Sequence, residues 1–465
     1  MQQLFSLPRY CLIFLTTLVM VAACAGETAP PAGNPPSNAE GGDDELQVVV
    51  FETQAPTDTP VPDPAATDTP AAQVGGGATS ADANDSVVLV EESSGPTNID
   101  FSRPADVNPL TGLKVDDPAV LQRRPLMVRV GNDPGARPQV GINQADIVYE
   151  EITEWWVTRF TAIYLSQDPD MIAPIRSARL INLQLGAQYQ GALANSGGSD
   201  GVRWELSQSS LINLDEFFVP GPYFYRPNEG WQTRLAVDAG AARDYLAREG
   251  LDNVAGLRGF IFDEAPDYNS FPTTAIGDAQ EVIVPYPQQT TRTTWTYDPA
   301  SGRYQRSITG TPMFDFEGER VAASNVIVYF AAHDETDIVE DSNGATSIRI
   351  NMNGRGAAWL FRDGKVLKGN WETDGTVTPS FIFDDDTPMP LKPGNTWIQV
   401  VPLAYEINID GVDQNSLGPA ANEQTTQDAT DDNALDLGTA GADAPTPTLT
   451  PIGARLATPT AEGTD

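Results

Sequence analysis

Two stretches almost empty of large apolar residues bracket this 465-residue chain, and they decide where it can fold. Residues 24–102 are rich in Pro, Thr, Gly, Ala and Asp, as in Pro56-Thr57-Asp58-Thr59-Pro60 and Gly75-Gly76-Gly77. Residues 409–465 repeat that composition, with Pro445-Thr446-Pro447-Thr448 and Thr458-Pro459-Thr460. Such segments bury too little apolar surface to offset the entropy of ordering a chain, so a disordered tether and a disordered tail are expected. Two apolar runs, 48–51 and 87–90, interrupt the tether and read as sticky patches or an added edge strand. Folding is thereby confined to 103–408, long enough for two domains.

Charge follows the same division. The chain carries 64 Asp and Glu against 27 Lys and Arg. Residues 25–100 hold 14 of the acidic side chains and no basic one; residues 405–465 hold 11, with only Arg455 opposing them. The middle is moderately acidic. No basic patch suits the phosphates of nucleic acid or an anionic bilayer.

Ahead of the tether, Arg9 precedes an apolar run at 11–20 that ends in Val21-Ala22-Ala23-Cys24. A charged start, a short apolar centre and small residues at the cut site make a secretory signal peptide. A cysteine directly after them is the lipoprotein version of that site. Residues 1–23 are expected to be removed and Cys24 to be lipidated. The apolar run is too short to span a bilayer comfortably, whereas two or more acyl chains on one residue anchor a protein stably. The expected location is extracytoplasmic and membrane-anchored, with the tether giving a reach of roughly 50 Å at ~5–6 Å × √n.

Several chemistries fall away on composition. The cysteines are Cys11 and Cys24 alone, so the mature chain has no disulfide and no thiolate site. His333 is the single histidine, which disfavours a Ser-His-Asp triad and a catalytic zinc site. No cofactor and no metal are expected, although oxygen ligands for calcium are plentiful.

The folded part reads as α+β, a mixed α/β domain at 103–270 followed by a mainly β domain at 271–408. Residues 145–152 and 158–165 are strand-like, and the five residues between them suit a hairpin. Residues 177–189 carry Ile181, Leu185 and Tyr189 at helical spacing, with Ser177 as N-cap. A short strand at 192–195 runs into Ser196-Gly197-Gly198-Ser199, with a helix near 201–207. Another helix at 239–249 has Asp238 as N-cap and Gly250 as its stop. Beyond 271, strands are expected at 281–285, 293–297, 303–307, 325–331, 347–351, 357–361 and 397–401, forming a sandwich or curved sheet.

Particular runs resemble the YerB-like bacterial lipoprotein family, a domain pair without an assigned activity. They are Asn108-Pro109-Leu110-Thr111-Gly112-Leu113, Ala145-Asp146-Ile147-Val148-Tyr149-Glu150, Ile175-Arg176-Ser177-Ala178-Arg179 and Gly197-Gly198-Ser199. In the second half, Ala323-Ser324-Asn325-Val326-Ile327-Val328 and Pro393-Gly394-Asn395-Thr396-Trp397-Ile398 also fit. The resemblance spans about 106–403. The family tends to show histidines where this chain has Asp133, Asn195-Ser196, Arg234 and Met313. It therefore implies that any imidazole-based activity or metal site of the family is lost here.

The candidate site residues each admit two readings. Arg176 and Arg179 share a face at a helix start, with Arg159 on the preceding strand. They form either a fork for a carboxylate, phosphate or glycan acid, or internal ion pairs with Asp146, Glu150 or Glu151. Asn195, Gly197, Gly198 and Ser199 make either an anion cradle at a helix N-terminus or a plain turn. Asp146 and Glu150 point to one face but lie ~13 Å apart at ~3.3 Å per residue, beyond the ~5–9.5 Å of glycosidase pairs. A catalytic pair would need Asp133, Asp200 or Glu205. Trp155, Trp156, Trp204 and Trp231 suit either sugar rings or a core, and the proposed turn exposes at least one of Trp155 and Trp156. His333 with Asp334 and Glu335 reads as a solvated acidic loop rather than a metal site.

The function expected is non-catalytic binding of an envelope ligand or partner, such as peptidoglycan or another glycan, through Asp133, Arg159, Arg176, Arg179, Asn195, Gly197, Gly198 and Ser199. The alternatives are a carboxylate-dependent hydrolase of a wall glycan, with Asp146 and Glu150 as starting points, and a scaffold in a membrane complex.

Overall fold

A computed structural model describes residues 99–413, apart from 254, 255 and 288. Cys24, the runs at 48–51 and 87–90 and the segment beyond 413 lie outside the described residues. The frame is a large mixed sheet. From the first half it takes β1 (Leu126–Gly131), β2 (Ile147–Ile152), β3 (Thr158–Tyr164), β4 (Ala192–Asn195) and β5 (Ile212–Asp215). From the second half it takes Asn325–Ala331, Gly354–Arg362, Lys365–Thr373, Ser380–Ile382 and Thr396–Pro402. The halves join where β2 lies parallel beside Thr396–Pro402, Ile147 opposite Thr396 and Glu150 opposite Gln399.

Strand direction is what positions the site. Asn325–Ala331, Thr396–Pro402 and β2 are mutually parallel, as are β1, β4 and β5. Antiparallel β3 separates β2 from β1, so β1 and β2 run the same way. Six strands thus end on one edge. Their residues are buried almost without break, as expected of strands covered on both faces.

One face is covered by a smaller sheet containing Glu281–Val284, Thr293–Asp298 and Arg303–Ile308. Trp295 of that sheet meets Trp397 of the large one with ring centroids 5.3 Å apart. The other face is covered by α1 (Ile181–Tyr189), whose Tyr189 hydroxyl lies 2.8 Å from that of Tyr149. Adjacent residues of a strand point to opposite faces, so Tyr149 faces α1 while Glu150 faces the smaller sheet.

Capping chemistry works locally as the residues imply. Asp238 accepts from the Ala241 amide at 2.9 Å to open α3 (Ala239–Arg248), and Gly250 beyond it has φ +71°. Ser199 accepts from the Val202 amide to open α2 (Asp200–Ser207).

Two expectations change. The helix expected from Ser177 begins four residues later, at Ile181. Backbone groups at 175–178 are already committed elsewhere: Arg176 N donates to Arg129 O at 2.9 Å, and Ala178 N to Gly197 O at 2.7 Å. The bridge of Ile175 to Val130 and these bonds to β1 and the glycine loop hold the segment extended, so the helix starts beyond it. The acidic loop expected around His333 is instead the strand His333–Val339, paired antiparallel with Thr346–Ile350. Its polar residues sit on the exposed side of a hairpin laid against α2.

Candidate functional site

In open sheets of this kind, ligands bind in the crevice beyond the carboxyl ends of parallel strands. Here β1 runs out into Asn132-Asp133, β2 into Glu154, β4 into Ser196–Ser199 and β5 into Glu216 and Phe217. Arg159, near the start of antiparallel β3, lies opposite Gly131 on the same edge. The fold therefore gathers Asp133, Arg159, Arg176, Asn195, Gly197, Gly198 and Ser199 along one rim.

Arg176 is held across the end of β1. Its Nη2 donates to both Asp133 oxygens, at 3.0 and 3.2 Å, and its Nη1 donates to Gln232 O. The side chain passes so close to Gly131 that a Cβ there would sit 3.2 Å from its Cγ and Nε. Asp133 is 37% exposed and Arg176 17%, so this pair lies at the surface of the rim.

Arg159 and Arg179 are turned inward. Arg179 donates from Nε to Glu154 Oε2 at 2.7 Å and from Nη2 to Oε1, and Arg159 donates to Oε1 at 2.5 Å. Burial pushes the Glu154 carboxyl upward, but the guanidiniums of Arg159 and Arg179 outweigh it and hold the group at about 2. Burial and the neighbouring Arg179 lower Arg159 to about 9. Arg179 also lies 3.4 Å from Glu340 of the second-half hairpin. A guanidinium so enclosed acts as an internal ion-pair partner. The carboxylate it meets is Glu154, not the expected Asp146, Glu150 or Glu151.

The glycine loop is shaped from beneath. Asn195 is fully buried; its Oδ1 accepts from the Gly197 amide at 2.9 Å and its Nδ2 donates to Asn213 Oδ1 at 2.6 Å. Gly197 has φ +85°, and a Cβ there would lie 2.2 Å from Arg203 Nη2. Gly197 therefore makes room for Arg203, which pairs with buried Asp215. Asn195 and Gly197 form the loop rather than face a ligand. Gly198 and Ser199, partly exposed, remain on the outer side.

Asp146 and Glu150 are both consumed in packing. Asp146 sits at the opposite, amino edge of the sheet and accepts from Asn108, Ser166 Oγ and the amides of Leu165 and Ser166. It stitches the Asn108-Pro109-Leu110 turn to the sheet. Glu150 is fully buried against Arg306, Asn132 and Thr158. Neither reaches solvent, and a hydrolytic carboxylate must. Among the described residues no group of three His, Cys, Asp or Glu side chains converges as a metal requires.

Two features escaped the sequence reading. Arg203 and Arg306 carried no local signal, because their partners lie on other elements. A protruding aromatic missed on sequence, Phe217, also borders the rim at 76% exposure; Trp231, already a candidate on sequence, is 77% exposed. Arg203 lies 5.9 Å from the centroids of both Phe217 and Phe218. The run Glu216-Phe217-Phe218 between Asp215 and Pro220 could have flagged this, since adjacent aromatics before a proline turn cannot all face inward.

Comparison with known proteins gives one consistent result. Residues 110–240 match the N-terminal domain, and residues 282–398 the C-terminal domain, of a protein family of unknown function, DUF3048. The chain is similar to the lipoprotein candidate YerB of Bacillus subtilis (strain 168), 31% identical over 301 residues, covering 63% of this chain and 86% of that one. It is also similar to a crystal structure of the YerB protein from Bacillus subtilis, with a TM-score of 0.55 and 27% identity over 65% of this chain and 99% of that one.

Proposed function

Starting from the fact that this chain belongs to the DUF3048 family, we propose that it is a lipid-anchored extracytoplasmic protein that binds an envelope ligand without transforming it. Cys24 carries the anchor, and the rim formed by Asp133, Arg176, Gly198 and Ser199 receives the ligand. One observation carries the reading: surface-accessible polar groups from widely separated segments meet where six parallel strands end. Arg159, Arg179 and Glu154 serve beneath it as a rigid base, and rigid supports make precise sites. The lipoprotein name of the relative supports the location.

Two variants test it. Cys24→Ser should release the protein from membranes into the medium; retention would overturn the anchor. In that soluble background, Arg176→Ala should weaken binding to purified wall sacculi at least tenfold while circular dichroism stays unchanged. Undiminished binding would remove the rim from the proposal.

A further inference from the structure

The tip of the β2–β3 hairpin breaks a rule of turn chemistry. Its central residues Trp155 and Trp156 have φ +61° and +58°. Two successive left-handed residues are the signature of a tight hairpin turn that favours Asn-Gly, because a Cβ in that region meets the following carbonyl. A large aromatic is a poor choice there, and this tip uses two. Burial does not compensate, since Trp155 remains 51% exposed and Trp156 43%. Outliers of this kind cluster at ligand clamps, where a need outside the fold maintains them.

The surroundings point to what that need is. The Trp155 indole N–H donates to Asp341 Oδ2 at 2.7 Å, which presets the ring's orientation. Nearby cations are already spent: Arg159 and Arg179 both close on Glu154. The adjoining hairpin presents Asp334, Glu335 and Asp337 to solvent. With no uncommitted cation shown at the tip among the described residues, a neutral ligand is favoured over an anionic one. Flat apolar faces with the Asp341 carboxylate beside them suit a molecule with apolar C–H faces and a rim of hydroxyl donors. A neutral pyranose with equatorial hydroxyls has that form.

We infer that Trp155 and Trp156 form a stacking platform for a neutral, β-linked pyranose chain. This rests on the ligand-binding reading above and narrows it to a class of ligand. Neutral chains of acetamido sugars and of bare β-linked glucose share the chemistry, so the probes must separate them.

The Cys24→Ser protein would be titrated with chitohexaose and with cellohexaose, following tryptophan fluorescence and calorimetric heat. Saturable binding of chitohexaose alone assigns the acetamido sugar; binding of both assigns the bare β-linked ring. Trp156→Gly, which suits a left-handed turn, should abolish binding at least tenfold without lowering the thermal midpoint. Trp155→Phe should retain part of the affinity, because a ring remains while the Asp341 hydrogen bond is lost. No saturable signal with either sugar overturns the inference. If sacculus binding survives Trp156→Gly but falls with Arg176→Ala, the rim proposal stands and the platform falls. If sacculi bind neither wild type nor variant, both fall.

Discussion

Arg306 donates from Nη2 to Glu150 Oε2 at 2.7 Å, and both side chains are wholly buried. This pair bridges the two sheets and the two halves of the chain, 156 residues apart. The guanidinium lies 5.0 Å from the Trp397 centroid, 5.3 Å from Phe160 and 5.8 Å from Trp295. Its desolvation is thus offset by a full carboxylate and by three aromatic faces. On the next residue of β2, Glu151 faces the opposite side and pairs with buried Arg129. One strand therefore sends two consecutive carboxylates to two separate interiors.

Breaking the Arg306 pair leaves a buried, uncompensated charge. Arg306→Met should lower the free energy of unfolding by about 3–5 kcal/mol. Adding Glu150→Gln neutralises the stranded carboxylate and should recover part of that loss. Urea titration of both single variants and the double gives the coupling. Strict additivity would show that the two groups do not act as a pair.

His333, the chain's one imidazole, titrates far from its usual range. Burial lowers it to about 4, against a small upward pull from the Ala331 carbonyl that its Nδ1 contacts at 2.9 Å. The folded value lies below the unfolded 6.5, so the unfolded chain binds the extra proton between those limits. Stability is then complete above pH 6.5 and declines as pH falls toward 4, by at most ~3 kcal/mol at 1.36 kcal/mol per unit. A single imidazole proton resonance should report the midpoint directly by NMR. A midpoint near 6.5 would mean that the ring is open to water. His333→Gln should flatten that part of the stability profile.

Gly197 is held by two separate requirements, its φ of +85° and the Arg203 guanidinium above it. Gly197→Ala should destabilise the fold by ~1–2 kcal/mol from the left-handed backbone alone. Adding Arg203→Ala relieves the steric part and leaves the backbone part. A single variant as stable as wild type would indicate that the loop relaxes to a negative φ.

Much of the architecture was legible because its causes are local. The turn between β2 and β3, the strand Asn325–Ala331, the caps Ser199 and Asp238 and the stop at Gly250 each depend on residues a few positions apart. Strands β1 and Lys365–Thr373 are flanked by turn residues but lack the strict apolar–polar alternation of a half-buried strand, so their pairing with other strands decides them. Ser177 has a cap's side chain but not its setting, because its neighbours' backbone partners, Arg129 and Gly197, lie on other elements.

From the residues alone came the α+β class, the expectation of a folded body between two polar tails and of a lipobox at Cys24, and the candidate residues Asp133, Arg176, Gly198 and Ser199. Those depend on composition and on short-range chemistry, which a linear string preserves. Only the tertiary structure decided which carboxylate each arginine meets, that Arg179 and Asn195 face inward, and that Trp155 and Trp156 stay exposed in left-handed turns. Pairings of buried charge are chosen by sheet order and strand direction, and these bring together groups whose separation along the chain carries no trace of their contact.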